Sequence, residues 1–231
     1  MTDAATCTPR LHVAGVMDAE EAETLIDCGV GHLGFPLVLG HHQEDLSVDA
    51  AAAIVSRLAD RAKLFLITYL NTADDVVALC RTLGVHMVQL HADVVYAEMR
   101  RLRQLAPKMK IFKSLVVRGD NFDALAREAD GFAPWVDGYI TDTFDPETGA
   151  TGATGKTHDW SVSRYLVRAS PRPVILAGGL NPDNVREAIR IVRPSGIDVH
   201  TGIEGSDGRK RRDLIERFVA EARAGFAAVE V

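Results

Sequence analysis

Leu11-His12-Val13-Ala14-Gly15-Val16-Met17-Asp18 is an apolar run that closes on a glycine and then meets an acidic residue. The run is short and lacks strict alternation, as expected of a strand buried on both faces. Asp18, followed by Ala-Glu-Glu, reads as a helix N-cap with an acidic first turn. The loop between strand and helix decides the architecture. A dinucleotide-binding open sheet would carry GxGxxG there, and Ala14-Gly15-Val16-Met17-Asp18 does not.

The same unit recurs along the chain. Strands are expected at Leu11–Val16, His32–Val38, Lys63–Tyr69, His86–His91, Lys110–Val116, Val136–Thr141, Pro173–Ala177 and Ile197–Thr201. Helical patterns lie at Asp18–Asp27, Val48–Asp60, Ala73–Leu83, Val94–Leu105, Phe122–Ala129, Ser161–Ala169, Pro182–Val192 and Arg209–Ala224. Ser47 is placed to cap the second helix. Asn181-Pro182 reads as an N-cap with proline at the first helical position, and Gly29 and Gly84 as C-terminal caps. Strict alternation leaves a doubly wound open sheet or a closed (β/α)8 TIM barrel. Eight units in 231 residues is about 29 residues each, compact for a barrel, and the first loop favours the barrel. Nothing divides the chain, so residues 1–231 read as a single barrel domain in which 1–9 are a polar N-terminal extension.

Composition narrows the function. With 26 Lys+Arg against 32 Asp+Glu the formal net charge is −6, which argues against nucleic acid as a partner. No apolar run is long enough to span a membrane. Cys7, Cys28 and Cys80 form no CxxC pair, so neither a disulfide framework nor a structural zinc site is expected. The reading is a cytoplasmic protein of a reducing compartment.

In a barrel, chemistry gathers at the C-terminal ends of the strands. Two glycine turns close the last two strands, Ala177-Gly178-Gly179-Leu180-Asn181 and His200-Thr201-Gly202-Ile203-Glu204. Glycine lets backbone N–H groups approach an anion, and loops at these two strand ends commonly hold phosphate. The bland alternative is that the glycines only make tight turns. Gly149-Ala150-Thr151-Gly152-Ala153-Thr154-Gly155-Lys156-Thr157 ends like a P-loop, but Ala150 stands where that motif needs glycine. A lid or substrate loop is the better reading.

Six segments then carry a resemblance: His32–Phe35, Val88–His91, Asp137–Asp142, Gly152–Trp160, Leu176–Val185 and Asp198–Glu204. In this order and spacing they resemble the phosphoribosylanthranilate isomerase family of tryptophan biosynthesis, over about Leu11 to Phe218. The resemblance implies a barrel that performs an Amadori aldose-to-ketose rearrangement on a small phosphorylated substrate, without a cofactor. It implies that Asp142 is the general acid, that Gly178, Gly179, Thr201 and Gly202 hold phosphate, and that Gln89 and His91 contact substrate. His200 takes the place of a small hydroxyl residue and could reach the substrate too, with packing as the alternative. As a cation it could meet phosphate.

Two departures stand out. The family's first strand ends in Lys-Ile-Cys-Gly, whose cysteine is the general base; here the stretch is His12-Val13-Ala14-Gly15. The family's Ser-Pro-Arg after the second strand, whose arginine meets the anthranilate carboxylate, is replaced by Gly40-His41-His42-Gln43-Glu44-Asp45. His12 faces the same side as Ala14 and could supply the base, although roughly 6–7 Å deeper; a hydrogen-bonded barrel histidine is the other reading. His41, His42, Glu44 and Asp45 are metal-capable but lack ligand spacing on a rigid element, so no metal is expected. Cys7 reads as a free surface thiol, Trp135 and Trp160 as packing residues. Arg209-Lys210-Arg211-Arg212 reads as a solvated helix start, with Arg209 near phosphate as an option. Three functions remain open: this isomerase, a diverged relative acting on another phosphosugar or aminosugar, and a silent phosphosugar-binding protein. Monomer and homodimer are both compatible with the sequence.

Overall fold

The computed structural model describes residues 10–39, 46–119, 121–144, 147 and 157–229. Cys7, the 40–45 loop and Lys156 with most of its glycine loop lie outside them. Eight parallel strands close in sequence order, β8 returning to β1. They are β1 (Leu11–Val13), β2 (His32–Pro36), β3 (Lys63–Thr68), β4 (Met87–Leu90), β5 (Lys110–Val117), β6 (Gly138–Thr143), β7 (Val174–Leu176) and β8 (Gly196–Val199). The helices are α1 (Ala19–Asp27), α2 (Val48–Leu58), α3 (Ala73–Leu83), α4 (Tyr96–Leu105), α5 (Phe122–Phe132), α6 (Trp160–Ala169), α7 (Val185–Val192) and α8 (Arg212–Ala227). This is a (β/α)8 TIM barrel. Among the described residues no helix is long and apolar enough to cross a membrane.

The unalternating runs have the expected cause. One face of each strand packs under the helices, in a layer that includes Leu33, Leu66, Val88, Ile111, Leu176 and Ile197. The other fills the lumen with Phe65, Met87, Phe112, Ile140, Ile175 and Ala177. That apolar plug stands on the β3–β7 side. Across from it, where β1 meets β8, His12 and Asp198 are buried instead.

Helix starts follow their caps. Asp18, Ser47 and Thr72 accept from the backbone N–H three residues on. Gly84 ends α3 in the left-handed region at φ +76. Gly29 follows the cap of α1 at φ +91.

Several boundaries differ from the sequence reading. β1, β7 and β8 are shorter because their last residues bend into loops, although pairing persists just beyond the ladder (Ala14 N to Val199 O, 3.0 Å). Asn181-Pro182 does not start α7. The Asn181 side chain accepts from Asp183 N at 2.8 Å, capping a turn ahead of a helix that begins at Val185. The basic run is likewise not the solvated opening of α8. Lys210 pairs with Glu204 in an antiparallel bridge, its side chain has no solvent exposure, and the helix begins at Arg212. Arg209 pairs with Asp18, so its charge is engaged at the start of α1. Trp135 and Trp160 pack against the core, and Cys28 and Cys80 are free thiols.

At the opposite, N-terminal end of the barrel Asp137 is a brace. Its carboxylate accepts from Arg103 at 2.6 Å, Lys110 at 3.0 Å and the Ile111 backbone at 3.0 Å. Burial pushes its pKa up, but these donors outweigh that and hold it below the usual carboxylate value.

Candidate active site

Asp142 closes the lumen face of β6 and is only 6% exposed. One carboxylate oxygen accepts the Thr143 N–H at 2.9 Å; the other lies 3.3 Å from His91 Nδ1. The far nitrogen of His91, Nε2, is 3.0 Å from Gln89 Nε2, and Gln89 donates to Ser114 Oγ at 3.2 Å. Tyr69 stacks on the His91 ring, 5.2 Å between centroids and 16° between planes. Three successive strand ends thus fix the imidazole that faces the acid. Burial raises the Asp142 pKa to about 7, with the Thr143 N–H opposing and the charge of Asp198 adding. A carboxyl poised there can give up a proton near neutrality.

Beside it lies the glycine end. Gly178 and Gly179 adopt φ +102 and +62, and Thr201–Ile203 form one short 3-10 turn. A Cβ on Gly202 would stand 1.8 Å from the Leu180 carbonyl oxygen, so the two turns meet backbone against backbone. The N–H groups of Gly178, Gly179 and Gly202 have no hydrogen-bond partner among the described residues. Such a group of donors suits an anion. A Cβ on Gly178 would fall 2.1 Å from Thr143 Oγ1. That hydroxyl is 2.9 Å from His158 Nδ1, whose other nitrogen is 2.6 Å from Ser163 Oγ. Burial lowers the His158 pKa to about 4, so a neutral ring links the acid's strand to α6.

His200 leans over Gly15, where a Cβ would meet its Nε2 at 2.0 Å. Burial, then the charge of Lys210, lowers its pKa to about 4, against the pull of Asp198. Without an anion beside it, His200 is thus neutral at pH 7 and offers a hydrogen bond. Beneath it the Lys210 ammonium donates to the Gly15 carbonyl and lies 3.4 Å from Glu204 and 3.9 Å from Glu21.

His12 is wholly buried, below Ala14. Its Nδ1 lies 2.9 Å from Asp198 Oδ1, at ion-pair distance but outside hydrogen-bond alignment. Its ring packs 4.6 Å from that of Phe65. A Cβ on Gly34 would come within 2.8 Å of His12 Nε2, so the glycine makes room for the imidazole.

The structure therefore gathers Asp142, His91 and Gln89 in one chain of contacts. Gly178, Gly179, Thr201 and Gly202 form the adjoining cradle, His200 stands beside it and His12 lies under it. Sequence reasoning did not single out Asp198, Thr143, His158 or Lys210. The quoted segment Asp198–Glu204 contained the one signal for Asp198, an acidic residue inside an apolar strand. Among the described residues no three His, Cys, Asp or Glu side chains could hold a metal, and His41, His42, Glu44 and Asp45 fall outside them.

The model of the family described as N-(5'-phosphoribosyl)anthranilate (PRA) isomerase matches residues 11–221. The N-(5'-phosphoribosyl)anthranilate isomerase 2 of Methanosarcina mazei is 36% identical over 221 residues, covering 95% of this chain and 96% of that protein. The isomerase of Haloferax volcanii is 38% identical over 229 residues, with 96% of each covered. Among solved structures, phosphoribosyl anthranilate isomerase from Thermotoga maritima superposes with a TM-score of 0.78 at 25% identity, over 94% of this chain and 99% of that one.

Proposed function

The chain belongs to the N-(5'-phosphoribosyl)anthranilate isomerase family, and on that premise we propose how its own residues carry out an Amadori rearrangement of a phosphorylated aminosugar. The observation that carries the reading is Asp142, a buried carboxyl raised to about 7 that adjoins an anion cradle. The substrate phosphate binds the N–H groups of Gly178, Gly179 and Gly202 and the Thr201 hydroxyl, with His200 beside them. Asp142 protonates the furanose ring oxygen while the nitrogen lone pair at C1 expels it, giving an open-chain iminium ion. Gln89 and His91 keep the acid in place and present polar atoms to the substrate. The chemistry is proton transfer alone and needs no cofactor. His12, buried behind Asp198, belongs to the proton-accepting side of the site.

A carboxyl raised to about 7 is protonated below that value and loses the proton above it, so kcat/KM falls tenfold per pH unit above about 7. Stopped-time assays across pH 5.5–9 check this; a profile flat to pH 9 contradicts the acid.

Turnover of freshly made phosphoribosylanthranilate, followed by loss of anthranilate fluorescence, tests the function. A second reading, a different phosphosugar substrate, is favoured by Glu44 and Asp45 in a loop without arginine, since carboxylates there would repel an anthranilate carboxylate. No turnover, with phosphate or a phosphosugar still raising the melting temperature, supports that second reading. A cytoplasmic setting fits the free thiols of Cys28 and Cys80. Monomer or homodimer is decided by light scattering.

A further inference from the structure

Opening the ring uses one proton; the rearrangement must also remove the proton on C2. The side chains at the mouth leave few groups able to accept it. Ala14 offers a methyl group, Ser114 and Thr68 offer hydroxyls without a base of their own, and the Thr143 hydroxyl has only His158 beside it, a ring whose pKa burial lowers to about 4. His91 is committed to Asp142 and Gln89. His200 is held neutral by a pKa lowered to about 4 and is a correspondingly weak base. His12 has no exposed surface.

Among the described residues the Glu204 carboxylate is engaged by Lys210 at 3.4 Å, which leaves the carboxylate of Asp198. It stands on β8 directly across from His12 in the β1–β8 register, and its side chain keeps 11% exposure where that of His12 has none. Its charge acts on both Asp142 and His200, so it lies within reach of the acid and of the phosphate end. From below, the His12 Nδ1 faces it at 2.9 Å, while Phe65 walls the ring in and Gly34 leaves room for it.

We infer that Asp198 is the base that removes the C2 proton, and that His12 is a positioning residue that holds the Asp198 carboxylate toward the lumen mouth. The inference rests on the isomerase reading above. In the step itself the C2–H bond breaks, its electron pair forms the C1=C2 double bond, and the C1=N pair returns to nitrogen. The proton goes to Asp198. Ketonisation then delivers that proton to C1, while the C2 hydroxyl proton restores Asp142. Both carboxyls end as they began.

The test uses purified full-length protein with phosphoribosylanthranilate, protonated or deuterated at C2. Asp198→Asn is expected to lower kcat by about 10²–10⁴-fold, with KM changed by less than about threefold and a larger isotope effect on kcat. His12→Leu is expected to lower kcat at constant KM, and His12→Lys, which returns a donor facing Asp198, to recover most of that loss; a merely structural role would not give this rescue. If Asp198→Asn does not fold, Asp198→Glu must outpace Asp198→Ser, and equal rates overturn the assignment. A wild-type kcat in Asp198→Asn, or a loss confined to KM, overturns it while leaving the isomerase reading intact. Absence of turnover in the wild-type protein overturns both.

Discussion

Asp142→Asn is expected to lower kcat by about 10²–10⁴-fold and, in the same protein, to raise the melting temperature. The two effects share a cause. The native site buries a carboxyl whose pKa is about 7, against 3.8 for the free group. A carboxyl raised on folding binds its proton more tightly in the native state. Stability is therefore fully present below about 4 and is lost as pH rises through about 7. An amide of the same shape has no charge to bury, so the variant gains on the order of a few kcal/mol at pH 8 and almost nothing at pH 4. It also has no proton to give the ring oxygen. Thermal melts at both pH values, beside turnover, decide the matter. Equal melting temperatures at pH 8 would show that the carboxyl is not strained by burial, and a wild-type rate would remove it from the mechanism.

Lys210→Met is expected to destabilise the barrel by about 3–5 kcal/mol, a fall of roughly 6–20 °C in melting temperature for a chain of this size. Lys210 has no exposed side-chain surface, and Glu21, 3.9 Å away, has only 2%. Methionine fills the space but leaves the buried Glu21 and the partly buried Glu204 without this cation, and the Gly15 carbonyl without its donor. Glu21 would still receive the backbone N–H groups of Met17 and Lys210, each at 2.9 Å, which limits the damage to the lost charge. His200 would lose one of the influences that lower its pKa and titrate at higher pH, a change visible by NMR. A variant as stable as the wild type would show that the ammonium is dispensable.

The architecture was legible because the strands are buried on two faces and the first three helices open on side-chain caps. Thr141, Asp142 and Thr143 extend β6 past its apolar run, and the functional carboxyl stands where that run stops. What escaped the sequence is what forms between units remote in the chain. Lys210 in Arg209–Arg212 has the look of a charged helix start; only the turn that brings it under Gly15 makes it a buried cation. Asp198 and His12 share no local pattern, since their contact exists only because β8 returns to β1. His158 sits past the glycine loop with nothing nearby in sequence to mark Thr143 as its partner. Asn181-Pro182 misled because proline suits a turn as well as a helix start.

The contact between Lys210 and Glu21 spans 189 positions. On the ribosome, the first unit is made with Asp18 and Glu21 waiting for Arg209 and Lys210, which follow 191 and 189 positions later. Until then β1 has only β2 beside it, and the cylinder is an open sheet with two raw edges. Sealing the wall, neutralising Glu21 and bringing Asp198 to His12 are thus one late event. The nascent chain acquires its catalytic mouth only once β8 and Lys210 have been made.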